Sequence, residues 1–431
     1  MSGPAGVPRL LAGLAADRPL TLDEHLGLHG PAPLGRDELQ LRDVVALLEE
    51  CALRGRGGAG FPAAAKLSAV ARGQRAATVV VNGVEAEPAS EKDRTLLGRT
   101  PHLVLDGAQI AAAALRASEV SVCVPAAGEW VGAAVSTAVA ERTGVLGEVP
   151  TQVVSVPDGY VAGEETALVS YLNGGLPLPA FRPPYPFEQG VHRRPTLVNN
   201  AETLAHVALI ARHGIDWFRE IGTSQRPGST LVTLAGAVSA PGVYEIPYGM
   251  PVTQLIAETD GTPSRLQALL VGGCGGTWIA GAAMEGLTFD DESLQQAGAS
   301  LGPGVVIALT HDDCGVGESV ALADYLARAS AHQCGPCQFG LAAIAKALAA
   351  LGTGAAGARD HAHLDRWLYD VHGRGACHHP DGAVRMISTA LSVFHDEFAE
   401  HAEHGPCEAC RLGAGMLTLG RHGLTSLERT A

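Results

Sequence analysis

The 431-residue chain is poor in lysine, in aromatic side chains and in basic charge. Only three lysines occur (Lys66, Lys92 and Lys346), and aromatics make up 4% of the residues. With 30 Lys+Arg against 45 Asp+Glu, the formal net charge is −15. That balance excludes a nucleic-acid binder, which needs a basic face for phosphates. No apolar run approaches the ~20 residues of a membrane-spanning helix, and Ile110–Leu115 is typical of the longest. The first residues place an Arg inside a short apolar run and lack a charged–apolar–cleavage order, so no signal peptide is expected and a cytoplasmic location is the default. Nine cysteines are an odd number, unlike the paired framework of a small secreted domain. Five of them, Cys334, Cys337, Cys377, Cys407 and Cys410, crowd the C-terminal region, where two CxxC pairs point to metal or redox chemistry.

What is present is globular: 46% hydrophobic and 17% charged residues, in a length that suits two to four domains of roughly 100–200 residues. Leu41, Val44, Val45 and Leu48 have helical spacing. Strands are expected at Ala77–Val81, Val120–Val124 and Gln152–Val156, alternating with helices at Leu103–Leu115 and Trp130–Ala140. This βαβαβ rhythm predicts a parallel sheet covered by helices over residues 1–225. The Pro-rich segment Gly175–Phe187 reads as a loop. A small α+β module is expected over 226–312, with strands at Leu231–Gly236, Val243–Ile246, Ala268–Val271 and Val305–Leu309 and a helix near Val252–Glu258. A helical bundle follows over 313–412, ending in one helix Ala383–His404 that Gly405-Pro406 stops, with 413–431 as a tail.

The turn RGRGGAGF (Arg54–Phe61) satisfies GxGxxG, but a helical pattern precedes it where the dinucleotide fingerprint requires a strand. Its glycines still let backbone N–H groups approach a phosphate. Lys66 and Lys92, two of the three lysines, lie in this region, as if a compact ammonium were needed where guanidinium fits poorly. VVVNGVEAEPASEKDR (Val79–Arg94), GYVAGEETAL (Gly159–Leu168) and RPTLVNNAET (Arg194–Thr203) each set amides or carboxylates at an expected strand end or loop. That is where an open α/β sheet binds its ligand. Glu85, Glu87, Glu164 and Glu165 suit ribose hydroxyls or an amide better than phosphate.

Taken together, these motifs resemble the family of FMN- and NADH-binding F subunits of NADH-quinone oxidoreductase, with the diaphorase subunits of NAD-linked hydrogenases and formate dehydrogenases. The resemblance runs from about Arg54 to His401. It implies an FMN/NADH-binding α/β domain, a ubiquitin-like SLBB module matching LAGAVSAPGVYEIPYGMPVTQLI, and a helical bundle holding one [4Fe-4S] cluster. Gly55, Gly57, Gly58, Lys66, Asn82, Glu164, Asn199 and Asn200 then look like flavin contacts, the asparagines offering donors and acceptors to the ribityl chain or ring. Arg56, Glu85 and Gly163 belong to the same cofactor-binding motifs. Phe61, Glu87, Glu165, Arg182 and Tyr185 look like the NADH side, with Glu87 and Glu165 as the candidate catalytic carboxylates.

The departures from the family pattern are specific. Val84 stands where the family has an Asp, and Ala69 where it has an aromatic against adenine. Arg182 and Tyr185 replace a Lys and a Phe. In the cluster motif, Cys334, Cys337 and Cys377 match the second, third and fourth ligands, but the first position is Ala331. His332, solvent or an open iron is the expected substitute. A continuous Ala383–His404 helix would span roughly 33 Å and keep Cys407 away from that cluster. Cys407-x-x-Cys410 is left as a separate thiol pair or a site shared with a partner, while Cys51, Cys123, Cys274 and Cys314 read as structural thiols.

The resulting expectation is an NADH dehydrogenase passing hydride from NADH to FMN and single electrons to the cluster and a protein acceptor, such as a small [2Fe-2S] protein. The alternative is an electron-transfer module of the same fold that takes electrons from a protein donor.

Overall fold

The computed structural model describes residues 7–14, 18–34, 40–145, 147–355 and 358–413. The expected tail from 414 onward lies outside the described residues, as does part of the N-terminal run read above for a leader. The chain divides into two compact units: Met1–Ala86, Glu91–Val232 and Val243–Gly249 form one, and Glu87–Ser90, Thr233–Gly242 and Met250–Ala431 the other.

The first unit is built on a four-stranded sheet of β1 (Thr78–Asn82), β2 (Glu119–Pro125), β3 (Thr151–Val156) and β4 (Thr196–Asn200), in the order β3-β2-β1-β4. Every pairing is parallel, as the βαβ rhythm requires. Alternate strand residues enter two cores. Val79, Val81, Val120, Val122 and Leu197 face one, and Val80, Cys123, Val156 and Val198 the other. The strands therefore read as apolar runs without alternation. The helices Pro101–Leu115 and Glu129–Glu141 fall where helical spacing places them, within two residues.

One stretch differs from the sequence reading. Thr196–Asn200 is a full strand, and a helical stretch, Ala201–Arg219, kinked at Gly214 (φ +79°, ψ −177°), follows it. Every residue from Ala201 to Ile210 is buried, and exposed polar residues appear only from His213 onward.

In the second unit, the outer half of β5 (Ser229–Gly236) pairs in parallel with β9 (Val305–Thr310) from Thr233 onward. The short strand β6 (Gly242–Pro247) lies between them in sequence. β9 pairs antiparallel with β7 (Leu266–Val271), and β7 with β8 (Thr277–Ala280), a strand the sequence reading lacked. Helices Gly315–Arg328, Leu341–Gly352 and Ala358–Val371 follow. The expected last helix is two helices, His379–Val393 and His395–His404, broken at Phe394 (φ −105°, ψ 26°). The Phe394 ring packs edge-on against Trp278 at 5.1 Å and fills the space above Gly315, where a Cβ would meet it at 2.2 Å. Packing of this one aromatic overrides the uninterrupted helical pattern. Among the described residues, no helix is long and apolar enough to cross a membrane.

Candidate functional site

The strand order reverses direction between β1 and β4, and open parallel sheets bind ligands beyond the carboxyl ends of their strands at such a switch point. Asn82 ends β1, Asn200 ends β4, and the two are register partners. Asn82 Nδ2 donates to the Gly163 carbonyl at 2.8 Å, joining the second and third motifs. Asn200 caps helix Ala201–Arg219 by accepting from Glu202 N at 3.0 Å, while Asn199 is buried beside it.

The glycine-rich turn closes over the same strand ends. Gly55 N donates to Phe61 O at 2.9 Å, and Gly58 and Gly60 adopt φ of +108° and +60°. A Cβ on Gly57 would stand 3.5 Å from that of Asn200. Arg56 N donates to Thr203 Oγ1 at 2.9 Å, but the Arg56 side chain turns inward. Its buried guanidinium donates to Ser229 O at 3.1 Å and to the Tyr248 hydroxyl, and stacks on the Tyr248 ring. Any cofactor contact by Arg56 thus runs through its backbone.

Past the turn, Lys66 on helix Ala63–Ala71 pairs with Glu165 at 3.0 Å. Glu164 caps helix Glu165–Leu172 through the Thr166 and Ala167 amides, and its other oxygen accepts from Arg182 at 3.2 Å. Tyr185 stacks on Phe187 at 5.2 Å, and Phe61 and Tyr185 are exposed at 56% and 41%. An exposed aromatic pair beside glycines, amides and one ammonium fits a flavin and a nicotinamide. Val84 is buried in the apolar cluster with Val80, Cys123, Ala162 and Leu168, and its N–H donates to Asn82 Oδ1 at 3.3 Å.

Two carboxylates sit elsewhere than a ligand-facing reading expects. Glu85, at φ +47°, accepts from the Asp93 and Arg94 amides at 2.9 and 2.8 Å and so caps helix Lys92–Arg99. Glu87 belongs to the second unit, where it accepts from Cys274 N at 2.9 Å over the Gly272–Gly276 turn. A Cβ on Gly273 (φ +77°) would strike the Glu87 carboxylate at 2.5 Å.

Sequence reasoning missed the support beneath Asn200, although the lysine count pointed at it. Lys92 is 2% exposed and contacts Asp93 at 2.8 Å, Glu202 at 3.0 Å and Asn200 Oδ1 at 3.1 Å. Asn200 Nδ2 donates in turn to Asp93. Burial disfavours the Lys92 charge, yet Asp93 and Glu202 outweigh it and hold its pKa up. Asp93 and Glu202 contact this ammonium, Glu202 also lies 3.7 Å from Arg56, and Glu85 acts on Lys92 from farther off. Burial, against the pull of Lys92 and with the repulsion of Glu85 and Glu202, pushes Asp93 up to about 6.

In the second unit, Cys337 is buried on the π-helical turn Pro336–Gly340, with Cys334 and Cys377 half-buried. Burial, and then the Cys334 and Cys377 sulfurs, push Cys337 up to about 12. For Cys334, burial is outweighed by backbone bonds from Ala376 and Cys337, and its pKa falls. An all-thiol donor set suits an iron–sulfur cluster. Ala331 adds no donor, and the next residue, His332, holds φ +51° with Nδ1 3.4 Å from Ser330 Oγ. Cys314 is not an isolated structural thiol. Its sulfur lies with donor atoms of His401 and Cys407, all within 4.8 Å of one another.

Residues 48–209 match the family model of the Nuo51 FMN-binding domain, and residues 319–401 that of the NADH-ubiquinone oxidoreductase-F iron–sulfur binding region. The chain is 34% identical over 382 residues to the F 2 subunit of NADH-quinone oxidoreductase of Rhizobium meliloti (strain 1021), covering 85% of this chain and 90% of that one. The chain belongs to the family of NADH-quinone oxidoreductase F subunits. The F subunit of Escherichia coli (strain K12) is 32% identical over 401 residues, covering 88% of this chain and 89% of its own. Among solved structures, the NAD+-reducing [NiFe]-hydrogenase in its H2-reduced state matches with a TM-score of 0.78 at 28% identity. That match covers 86% of this family member, which spans 65% of the hydrogenase chain. The glycine-rich turn and the motifs around Asn82, Gly163 and Asn200 all fall inside the matched FMN-binding segment.

Proposed function

We infer that this member of the F-type oxidoreductase family is an NADH:acceptor oxidoreductase that binds FMN at the β1–β4 switch point and an iron–sulfur cluster in its helical bundle. The observation that carries this reading is the register pair Asn82–Asn200 beneath the glycine turn, inside the segment matched to the FMN-binding domain. When bound, the flavin accepts a hydride from NADH and releases electrons singly to the cluster. Gly55, Gly57 and Gly58 offer backbone N–H groups and Lys66 a cation to the phosphate, with Glu165 orienting that ammonium. Asn82, Asn199 and Asn200 address the ribityl chain and ring, and Gly163 fixes the Asn82 amide. Phe61 and Tyr185 supply aromatic faces for the nucleotide, and Glu164 positions Arg182 beside them. Cys334, Cys337 and Cys377 would hold the cluster, and His332, next to Ala331 in the sequence, is the candidate fourth donor.

The same reading treats 226–312 as the SLBB ubiquitin-like module and 313–412 as the iron–sulfur bundle, in a cytoplasmic protein that hands electrons to a small [2Fe-2S] partner. An anaerobic NADH titration of the cofactor-reconstituted chain tests it. Stoichiometric bleaching of the flavin band is expected. A bound flavin that dithionite reduces but NADH and NADPH leave oxidised would overturn it in favour of a protein electron donor.

A further inference from the structure

Three potential metal donors meet, with a fourth cysteine beside them, where the sequence left Cys314 as a structural thiol and Cys407-x-x-Cys410 as a separate thiol pair or a site shared with a partner. Cys314 is the N-cap of helix Gly315–Arg328 and accepts from Gly317 N at 3.2 Å. Its Sγ lies 3.7 Å from His401 Nε2, near the end of helix His395–His404. Cys407, just past that helix, joins them within 4.8 Å. Cys410 reaches the same group: its N–H donates to Cys407 Sγ at 3.4 Å, and its thiol interacts with that of Cys314. His401 Nδ1 donates to Gly352 O at 2.8 Å, so Nε2 is the acceptor nitrogen, and its lone pair, which takes the Cys407 N–H at 3.3 Å, is the one a metal would use. Cys314 and His401 are 5% and 3% exposed, while Cys407 lies at the surface.

We propose that Cys314, His401, Cys407 and Cys410 form a structural Zn2+ site, separate from the iron–sulfur centre. Three thiolates and one imidazole are a known closed tetrahedral zinc set, and the two tail cysteines have its short spacing. Zn–S bonds of about 2.3 Å and a Zn–N bond of about 2.0 Å set sulfur and nitrogen about 3.6 Å apart around one ion. The Cys314–His401 separation of 3.7 Å has that size. A cubane binds its ligands to four different irons and needs them farther apart. Soft sulfur donors exclude Ca2+ and Mg2+. The region matched to the iron–sulfur model, 319–401, contains His401 but none of the three cysteines. The break at Phe394 lets the last helix bring His401 to Cys314. The ion would pin the chain beyond His404 to the start of helix Gly315–Arg328.

The test is elemental analysis of the full chain, purified anaerobically, for zinc, iron and acid-labile sulfide. One zinc per chain is expected, and Cys410→Ser and Cys407→Ser should each lower it at least fivefold while leaving iron, sulfide and FMN unchanged. Both side chains are at least partly exposed, so these variants keep the fold, and circular dichroism checks that they do. Cobalt exchanged into the wild type should give a sulfur-to-cobalt charge-transfer band that Cys410→Ser removes. Wild-type protein without zinc, zinc that survives both substitutions, or iron and sulfide lost in place of zinc would each overturn the proposal.

Discussion

At the scale of single residues, Lys92 is the side chain on which the site depends most without facing a ligand. Lys92→Met would leave Asp93 and Glu202 buried beneath Asn200 with their shared ammonium gone. Removing one partner from a buried ionic set costs about 3–5 kcal/mol. Urea unfolding of the variant should show a loss of that size, and FMN retention should fall with it because Asn200 loses an anchor. An unchanged midpoint would sink this account. The lysine census made Lys92 visible in the sequence, but not its task, because burial and its two carboxylate partners are tertiary facts. Arg56 and Glu85 mislead in the opposite way. They sit in ligand motifs, yet one side chain braces Tyr248 and the other caps a helix.

At the scale of elements, helical periodicity located Pro101–Leu115, although that helix is buried nearly all round, and Glu129–Glu141, and it failed after Asn200 and at Phe394. Helix Ala201–Arg219 begins with ten consecutive buried residues, and the break at Phe394 comes from packing against Trp278 and Gly315. The packing that breaks the helix at Phe394 leaves no pattern in the sequence. The parallel sheet was legible because its strands are short apolar runs separated by helical segments. The break yields a sharp expectation. Gly315→Ala drives a methyl group into the Phe394 ring, 2.2 Å from its nearest carbon. Overpacking of this kind costs about 1–3 kcal/mol. Chemical unfolding should report that loss, and Phe394→Leu in the same chain should recover part of it. Equal stability of Gly315→Ala and wild type would contradict the packing described.

At the scale of the whole molecule, acid acts through the half-buried His29 and the buried His102. Burial, then the neighbouring His25 charge, pushes both His29 and His102 down to about 4. The unfolded chain takes up protons at these positions near pH 6.5 and the native chain only near pH 4, so the stability they contribute is full above 6.5 and lost as the pH falls between those values. Asp93, raised to about 6, pulls oppositely over its own range, contributing stability at low pH that is lost as the pH rises toward 6. The histidine part can be isolated. A His29→Asn/His102→Asn variant should lose stability less steeply than wild type from pH 6.5 to 4, as read by urea midpoints across that interval. Parallel curves would refute it.

The scarcity of lysine gives the molecule an address for amine chemistry. Lys346 is exposed and Lys92 is sealed, whereas the Lys66 side chain keeps 21% of its surface open beside Glu165. An acylating reagent therefore meets few side-chain amines, and mass spectrometry can follow each one separately. Filling the switch-point site with FMN should slow modification of Lys66 at least tenfold and leave the rate at Lys346 as it was. Equal slowing at both lysines, or at neither, would show that the cofactor does not cover Lys66. A composition this lopsided turns one side chain into a footprint of occupancy, read without colour or turnover.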